Sequence, residues 1–395
     1  MKANVSGSIN GLQNTGMAIL GVFFYFYTVG GLFGRTTAYL SIFYVAIVIA
    51  IIMFIRGGSL KEYSGFYKWQ AIVIFVSLIS AVLLSPQDEI NKWTTYFPVL
   101  LKTTTVAIIC RDFEGVKKLL VVLTLDGLLI FATLFFTGNL FVAYRLGTDI
   151  MGNSNSFAMV ICFLMIGALY WSFYSENRFF KVLSIAILLI DLYMIVLSGG
   201  RKFLLFFIVF FYGLLLMRSK ATLPKIIIVS IIAAIVVGVG YYLIMNVESL
   251  YNGIGYRFDG LGTAEGAEGV DDQEAHMRRG IEMFLEKPIF GWGFNAFKDI
   301  SGFRQYAHSN YVEILADFGI IGIIIYYYFH IYCAVKMWVY SRRKIDDEMR
   351  LYFPLILAII VFDIFTITIC QTAYIPLLLM LIGGYTYRLE HHQVN

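Results

Sequence analysis

The residues best suited to carry chemistry lie in a Gly- and aromatic-rich segment at 288–322, PIFGWGFNAFKDISGFRQYAHSNYVEILADFGIIG. Its one histidine, His308, stands directly before a strongly apolar run. Imidazole is the side chain best suited to proton transfer near neutral pH. A lone histidine at a helix start is more often structural, but the neighbouring Gly291 and Gly293 suit a tight loop. His308 is therefore the candidate catalytic residue.

The residues that follow His308 read as the start of a helix. Asn310 and Glu313 have the spacing of a capping box, in which two side chains satisfy the first backbone amides of a helix. Glu313 and Asp317 are four residues apart and share one helical face. The aromatic rings of the segment could stack on sugars or could form a belt at a membrane interface. These aromatic residues are Trp292, Phe294, Phe297, Phe303 and Tyr306.

A second candidate segment is SGGRK at 198–202. Two glycines allow a tight turn with accessible backbone amides, and Arg201 and Lys202 add two positive charges. Backbone amides and a forked guanidinium together suit an anion. The plainer interpretation is that both basic side chains extend from helix ends towards the membrane surface. We predict an anion site, because the position of these charges runs against the insertion bias described below.

Residues 246–286 precede the His308 segment. The stretch 246–272 is Gly-rich and acidic, and we predict that it is irregular. Residues 273–286 place apolar side chains at i, i+4, i+7 and i+8, which predicts a short amphipathic helix on the membrane or on the helical bundle. Glu274 lies four residues before Arg278, and Pro288 follows the end of the helix. The apolar positions are Met277, Ile281, Phe284 and Leu285.

The composition indicates the elements that must position these segments. Hydrophobic residues make up 59% of the 395-residue chain and charged residues 14%, against about a quarter charged in soluble domains. A soluble protein is therefore excluded. Apolar runs of roughly 20 residues, the length that crosses a bilayer, predict about twelve transmembrane helices. The predicted spans are 15–33, 37–55, 69–85, 93–110, 119–138, 154–173, 179–198, 202–217, 225–244, 311–338, 352–370 and 373–387.

The predicted fold is thus an all-α integral membrane protein with one large outer-face loop between helices 9 and 10. Its parts are a membrane domain at 1–245, an extracytoplasmic loop at 246–310 and a membrane domain at 311–395. Lys and Arg concentrate in one set of alternate loops, which places that set and both termini in the cytoplasm. We find no internal repeat of the kind common in secondary transporters, and this weakens a transporter function.

Several ionisable residues fall within the predicted spans, where such groups usually face a cavity or one another. Lys102 could pair with Asp126 or Asp191, or could line a cavity, and structural pairing is the favoured interpretation. The set comprises Lys102, Asp126, Asp191, Glu313, Asp317 and Asp363.

Two motifs resemble the signature of the O-antigen ligase and Wzy-type polysaccharide polymerase superfamily. The first is G-W-G-F-N-A-F, followed by H-S-N-Y-V-E-I-L-A-D-F-G-I-I-G, with His308-Ser309, nine residues, Gly319, two residues and Gly322. The second is S-G-G-R at 198–201, where the family carries an arginine on the outer face. The predicted topology, with its large loop before the third-last helix, is similar to that of the family as well.

The resemblance implies metal-independent and cofactor-independent glycosyl transfer from an undecaprenyl-diphosphate-linked glycan. His308 then corresponds to the family's essential histidine, as a base or as a positioning group. Arg201 corresponds to a diphosphate-binding arginine, supported by Lys202. Arg257 lies near the place of a second family arginine, and Arg278 or Arg279 could take that role instead. Arginines near the membrane surface would stabilise the charge that develops on a lipid diphosphate leaving group.

We therefore predict a polymerase that joins lipid-linked repeat units into a surface polysaccharide (O-antigen, capsule or exopolysaccharide) at the bacterial cytoplasmic membrane. A chain-length regulator and other polysaccharide assembly proteins are the expected partners, and a nucleic acid is not. The alternatives are a ligase that transfers finished glycan to a terminal acceptor and, from another class, a lipid-linked oligosaccharide flippase.

Overall fold

The structure is a computed structural model that describes residues 2–34, 37–85, 93–141, 145–218, 223–251, 255, 264–369 and 374–391. Within these ranges the chain forms helices and turns and contains no strand. We label the longer helices, together with the short helix next to the candidate site, α1 to α14. The first seven are α1 (Lys2–Val29), α2 (Ala38–Ile55), α3 (Ser64–Leu83), α4 (Tyr96–Cys110), α5 (Phe113–Phe136), α6 (Ser154–Tyr174) and α7 (Arg178–Leu197).

The remaining helices include a short one that belongs to the candidate site. They are α8 (Arg201–Arg218), α9 (Leu223–Asn246), α10 (Ala264–Glu286), α11 (Ala296–Ile300), α12 (Asn310–Ser341), α13 (Asp347–Phe362) and α14 (Tyr374–His391). Every span predicted from the sequence overlaps one of these helices.

Six helical segments of the described residues are long and apolar enough to cross a membrane. The helical, multi-pass character of the protein is therefore confirmed, whereas the number of twelve crossings and the position of the large loop stay predictions. The six segments are Ile9–Phe33, Lys61–Leu83, Phe113–Phe136, Ser154–Tyr174, Arg178–Leu197 and Asn310–Ser341.

Two helix boundaries differ from the sequence-based expectation and affect the candidate site. Helix α10 begins at Ala264 and not near residue 273; the two alanines and two glutamates within 264–268 favour helix, although the stretch was expected to be irregular because of its glycines. Helix α13 ends at Phe362 and not near residue 370. Residues 363–369 are instead irregular, and most of them are buried. Buried irregular backbone needs polar partners within the protein, and Asn310 provides them, as described below.

Contacts between residues of the chain divide it into two compact units. These units do not follow the three predicted parts, 1–245, 246–310 and 311–395, which stay a prediction about membrane topology. The first unit comprises Met1–Ser59 and Thr105–Phe258. In it α6 packs against α5 and α7, and α1 packs against α2 and α5. Gly167 brings α6 so close to α5 that a Cβ atom there would lie 2.2 Å from the carbonyl oxygen of Leu120.

The second unit comprises Leu60–Thr104 and Asp259–Asn395. Helix α12 is its centre, packed against α3, α10, α13 and α14. Gly280 allows a close crossing of α10 over α12, since a Cβ atom there would lie 2.3 Å from the Val312 side chain. Near the end of α14, the Arg388 guanidinium pairs with Glu62 (Nη1–Oε2, 2.6 Å) and with Glu348. The site that carries His308 lies within this unit.

Candidate functional site

Helix α12 is interrupted at Gly319, whose φ of 62° and ψ of −160° are not helical. A break in a helix releases backbone groups that the next turn would otherwise satisfy. Here the segment 288–293 binds them. The amides of Trp292 and Gly293 donate to the carbonyls of Ala316 and Asp317 at 2.9 and 2.8 Å. In return, the Ile320 amide donates to the Pro288 carbonyl at 2.9 Å.

The glycines of the motif are explained by this close docking of two backbones. A Cβ atom at Gly319 would lie 2.4 Å from the Ile289 carbonyl oxygen, and one at Gly291 would lie 2.4 Å from the Asp317 carbonyl carbon. At Gly293, whose φ is 116°, a Cβ atom would lie 2.4 Å from the backbone nitrogen of Ser85. Gly322 lies against the Phe318 side chain. The glycine spacing recognised in the sequence therefore builds the scaffold of the site.

Asp317 is fully buried and fixes the start of α11. Its Oδ2 accepts a hydrogen bond from the Asn295 amide at 2.9 Å, and its Oδ1 accepts one from the Phe297 amide at 2.8 Å. A carboxylate is well suited to accept from several backbone amides at a helix start. Asp317 thus holds the turn that leads into the chain before His308.

Glu313 holds the residue immediately before His308. Its Oε2 accepts a hydrogen bond from the Ala307 amide at 2.7 Å. The predicted capping box of Asn310 and Glu313 is wrong in register, because Ser309 is the N-cap and makes no side-chain capping bond. Glu313 nevertheless lies on the same buried face as Asp317, as their spacing predicts.

Asn310 holds the residues after His308 by binding the irregular segment 363–369. Its backbone amide donates to the backbone carbonyl of Asp363 at 2.8 Å. Its side-chain Oδ1 accepts hydrogen bonds from the backbone amides of Thr368 and Ile369 at 2.9 and 3.0 Å. Its Nδ2 donates to the Asp363 carboxylate at 3.1 Å. Asp363 also accepts from the hydroxyls of Tyr327 and Thr368 at 2.8 and 2.9 Å. Asp363 is therefore paired structurally.

His308 lies between these two attachments, at a left-handed backbone position with φ of 60°. Its ring is partly exposed and meets the ring of His276 edge to face, with centroids 5.2 Å apart and planes at 84°. His276, on α10, also packs on Phe303 with ring centroids 4.0 Å apart. Sequence reasoning missed His276. The only sequence signal for a buried His276 was its spacing of four residues from Gly280 and seven from Met283, which places the three on one helical face.

The face of α10 that packs against the protein includes residues outside the predicted apolar set, which was expected to lie on the membrane or on the helical bundle. His276, Gly280 and Met283 face the interior, where Met283 joins a core with Phe297, Ala307, Val312 and Ala316. By contrast, Ile281 is 47% exposed and Leu285 is 69% exposed in the protein alone. The prediction missed this face because glycine and histidine are not counted as apolar.

Both candidate arginines of α10 border an open groove that adjoins this histidine pair. Glu274, Ala275, Arg278, Arg279, Glu282 and Phe303 line it. Arg278 pairs with Glu274 at 3.1 Å, and Arg279 with Glu282 at 3.3 Å and Glu286 at 3.4 Å. Phe303 connects the groove to His276. The structure therefore places Arg278 and Arg279 in the same unit as His308, beside a groove whose lining residue Phe303 contacts His276.

Most aromatic residues of the segment are structural. Phe294 and Phe297 are buried, so they are not available to stack on a sugar. The Trp292 indole donates to the Met283 carbonyl at 2.9 Å and lies 3.7 Å from the Lys287 ammonium. Phe303 is exposed at the groove, and the Tyr306 ring lies 4.9 Å from the Lys298 ammonium.

The SGGRK segment lies in the first unit, between α7 and α8. Gly199 has φ of 72°, which makes the turn, and Arg201 begins α8. The Lys202 ammonium lies 5.6 Å from the Phe203 ring. Arg145, which the sequence did not single out, donates from Nε to the Ser198 carbonyl at 2.9 Å. Three basic residues therefore gather at this turn, whereas Arg257 lies outside the described residues.

The other intramembrane ionisable residues fall in both units. Lys102 lines a cavity of about 200 Å³ in the second unit, together with Gln70, Tyr96, Tyr326 and Thr368. The alternative that Lys102 lines a cavity is thus supported, and its pairing with an acid stays a prediction. The two acids considered as partners of Lys102, Asp126 and Asp191, are in the first unit. Among the described residues, both carboxyl oxygens of Asp191 and the Oδ2 of Asp126 are buried without a hydrogen-bond partner.

A family model described as O-Antigen ligase matches residues 185–327. The matched stretch runs from α7 into α12 and contains both candidate segments, 198–202 and 288–322. This match confirms the resemblance drawn from the motifs. A search of curated proteins finds no match to the chain.

Proposed function

We propose, from the O-antigen ligase match over residues 185–327 and the multi-pass helical fold, that this protein is a membrane glycosyltransferase. Its substrates would be undecaprenyl-diphosphate-linked repeat units, which it polymerises into a surface polysaccharide. The active site would face outward from the bacterial cytoplasmic membrane, with both termini in the cytoplasm. The observation that carries the proposal is the convergence of buried polar contacts on the backbone around His308.

The contacts around His308 are those expected of a catalytic loop. Glu313 holds Ala307 on one side, and Asn310 holds the chain on the other. A residue fixed in a left-handed conformation by its surroundings is characteristic of a functional position. A partly exposed imidazole in such a place can take a proton from an acceptor hydroxyl.

The reaction would then proceed by direct displacement. His308 removes the proton of the acceptor hydroxyl as its oxygen attacks the anomeric carbon of the donor sugar. The bond between that carbon and the diphosphate oxygen breaks, and the lipid diphosphate leaves with the electron pair. The proton held by His308 passes to solvent or to the leaving group. Cationic side chains would stabilise the developing charge without a metal ion; the candidates are Arg201, Lys202, Arg257, Arg278 and Arg279.

The test is turnover of a purified lipid-diphosphate donor in nanodiscs. We expect His308→Ala to lower the rate about 10²- to 10⁴-fold, the usual effect of losing a general base. His308→Asn is the better variant, because asparagine tolerates a left-handed backbone that strains alanine. His391→Ala, at the exposed end of α14, is the matched control and should be silent. Near-normal turnover by His308→Asn would remove the catalytic role.

The same assay separates the alternatives. A polymerase lengthens the glycan when the lipid-linked repeat unit is the only substrate, whereas a ligase requires a separate terminal acceptor. A flippase moves a labelled lipid-linked glycan across the bilayer and forms no new glycosidic bond. Loss of wild-type activity on adding a chelator would contradict the metal-independent mechanism.

A further inference from the structure

We propose that His276 is a positioning residue that fixes the orientation of the His308 imidazole. The inference rests on the proposed catalytic role of His308. The two rings meet edge to face with centroids 5.2 Å apart. His276 comes from α10 and His308 from the loop before α12, so the contact joins two elements that are remote in sequence.

His276 supplies an aromatic ring to the buried face of α10. Its side chain is 5% exposed and faces a region whose core is apolar, with Phe297 and Phe303 as ring neighbours. The neighbouring buried positions on the same face of α10 hold glycine and methionine. On this face of α10, His276 is thus the residue that brings an aromatic ring against His308.

The backbone contacts of the loop do not set the orientation of the His308 ring, and contact with His276 can do so. Glu313 and Asn310 fix the backbone on both sides of His308, but the orientation of the imidazole about its two side-chain bonds depends on contacts of the ring itself. An aromatic neighbour at right angles restricts that rotation. Phe303 lies against His276 with ring centroids 4.0 Å apart and lines the groove of Arg278 and Arg279. One series of contacts thus leads from the groove through Phe303 and His276 to His308.

The experiment compares His276 variants in two backgrounds, wild type and His308→Asn, by kcat and KM for a lipid-diphosphate donor in nanodiscs. In the wild-type background we expect His276→Ala to lower kcat about tenfold to a hundredfold, because small misplacements of a catalytic group have effects of this size. The KM should stay within about twofold, since the substrate contacts remain. His276→Phe keeps a ring against His308 and should restore kcat to within about threefold of wild type.

In the His308→Asn background, His276→Ala should have no further effect on the residual rate, because a residue that acts through another loses its effect when the other is removed. Met283→Ala is the matched control. It removes a buried side chain from the same face of α10 and should lower thermal stability, with an equal effect on rate in both backgrounds.

The outcomes separate the two proposals. If His308→Asn retains only a residual rate while His276→Ala has normal kcat, or lowers kcat by the same factor in both backgrounds, the positioning role is overturned and the catalytic role stands. If His308→Asn has near-normal turnover, the proposed function of His308 fails first. Should His276→Ala fold poorly, failure of the folded His276→Phe variant to keep kcat would also contradict positioning through ring contact.

Discussion

The buried carboxyl groups of the two units differ in what surrounds them. In the second unit, Glu313, Asp317 and Asp363 each accept hydrogen bonds from backbone amides or from side chains that bind irregular backbone. In the first unit, Asp191 is equally buried, yet neither of its oxygens has a partner among the described residues. Asp191, Glu313 and Asp317 all lie on helices that are long and apolar enough to cross a membrane, so composition does not explain the contrast.

The difference follows from the backbone that each acid faces. Regular helices satisfy their own amides, so an acid between α5 and α7 finds no backbone donor. In the second unit, by contrast, α12 is broken at Gly319, and the segments 288–309 and 363–369 are largely non-helical. Their amides need acceptors within the protein, and Glu313, Asp317 and Asn310 provide them. Buried polar residues in the second unit therefore indicate where the fold departs from helix, and that departure surrounds His308.

The largest effect that follows from this comparison is expected at Gly319. Its backbone angles lie in a region that only glycine readily adopts, and a Cβ atom would meet the Ile289 carbonyl at 2.4 Å. Strain and the clash together predict a loss of about 2–6 kcal/mol for Gly319→Ala, with loss of turnover. Thermal unfolding in nanodiscs measures the change. Gly65→Ala is the control, because Gly65 is helical with open space around it, and it should be neutral or stabilising.

The next effect concerns activity in the first unit. If Arg201 binds a diphosphate in fork geometry, Arg201→Lys loses the paired hydrogen bonds although it keeps the charge. A lost charge-assisted bond costs about 1.5–3 kcal/mol, or roughly tenfold to a hundredfold in rate. Arg178→Lys is the matched control, since Arg178 also begins a helix and is exposed. Turnover of the donor decides the question, and near-normal activity of Arg201→Lys would favour a plain anchoring role at the membrane surface.

The positions of the helices and of the candidate segments were predictable from sequence, because apolar runs of membrane-spanning length and a glycine motif are local signals. The docking of 288–293 on the break in α12 was not, since Gly319 and Ile289 are thirty residues apart. The role of Asn310 was missed for the same reason. A capping box is a local pattern, whereas the partners of Asn310, Thr368 and Ile369, are more than fifty residues away. His276 was missed because its partner ring becomes adjacent only when α10 packs on α12.

A smaller effect on stability is expected from Asp317→Asn. The carboxylate accepts from two amides, Asn295 at 2.9 Å and Phe297 at 2.8 Å. A carboxamide has one acceptor oxygen, so one buried amide would face an NH₂ group and lose its partner. The expected loss is about 1–3 kcal/mol of unfolding free energy. We expect turnover to fall as well, because α11 leads into the His308 loop, and an unchanged melting temperature would show that the two hydrogen bonds contribute little.

The smallest effect is expected from the same substitution in the first unit, Asp191→Asn. The side chain keeps its shape, which matters because Asp191 lies against Gly127, where a Cβ atom would be 2.6 Å from Oδ1. No hydrogen bond among the described residues is lost, so the change in unfolding free energy should be smaller than that of Asp317→Asn. If the comparison holds, Asp317→Asn lowers the melting temperature while Asp191→Asn does not, and Asp191→Asn has normal turnover. A normal melting temperature with reduced turnover would instead assign the Asp191 carboxyl group a role in activity, as is common for ionisable groups within membranes.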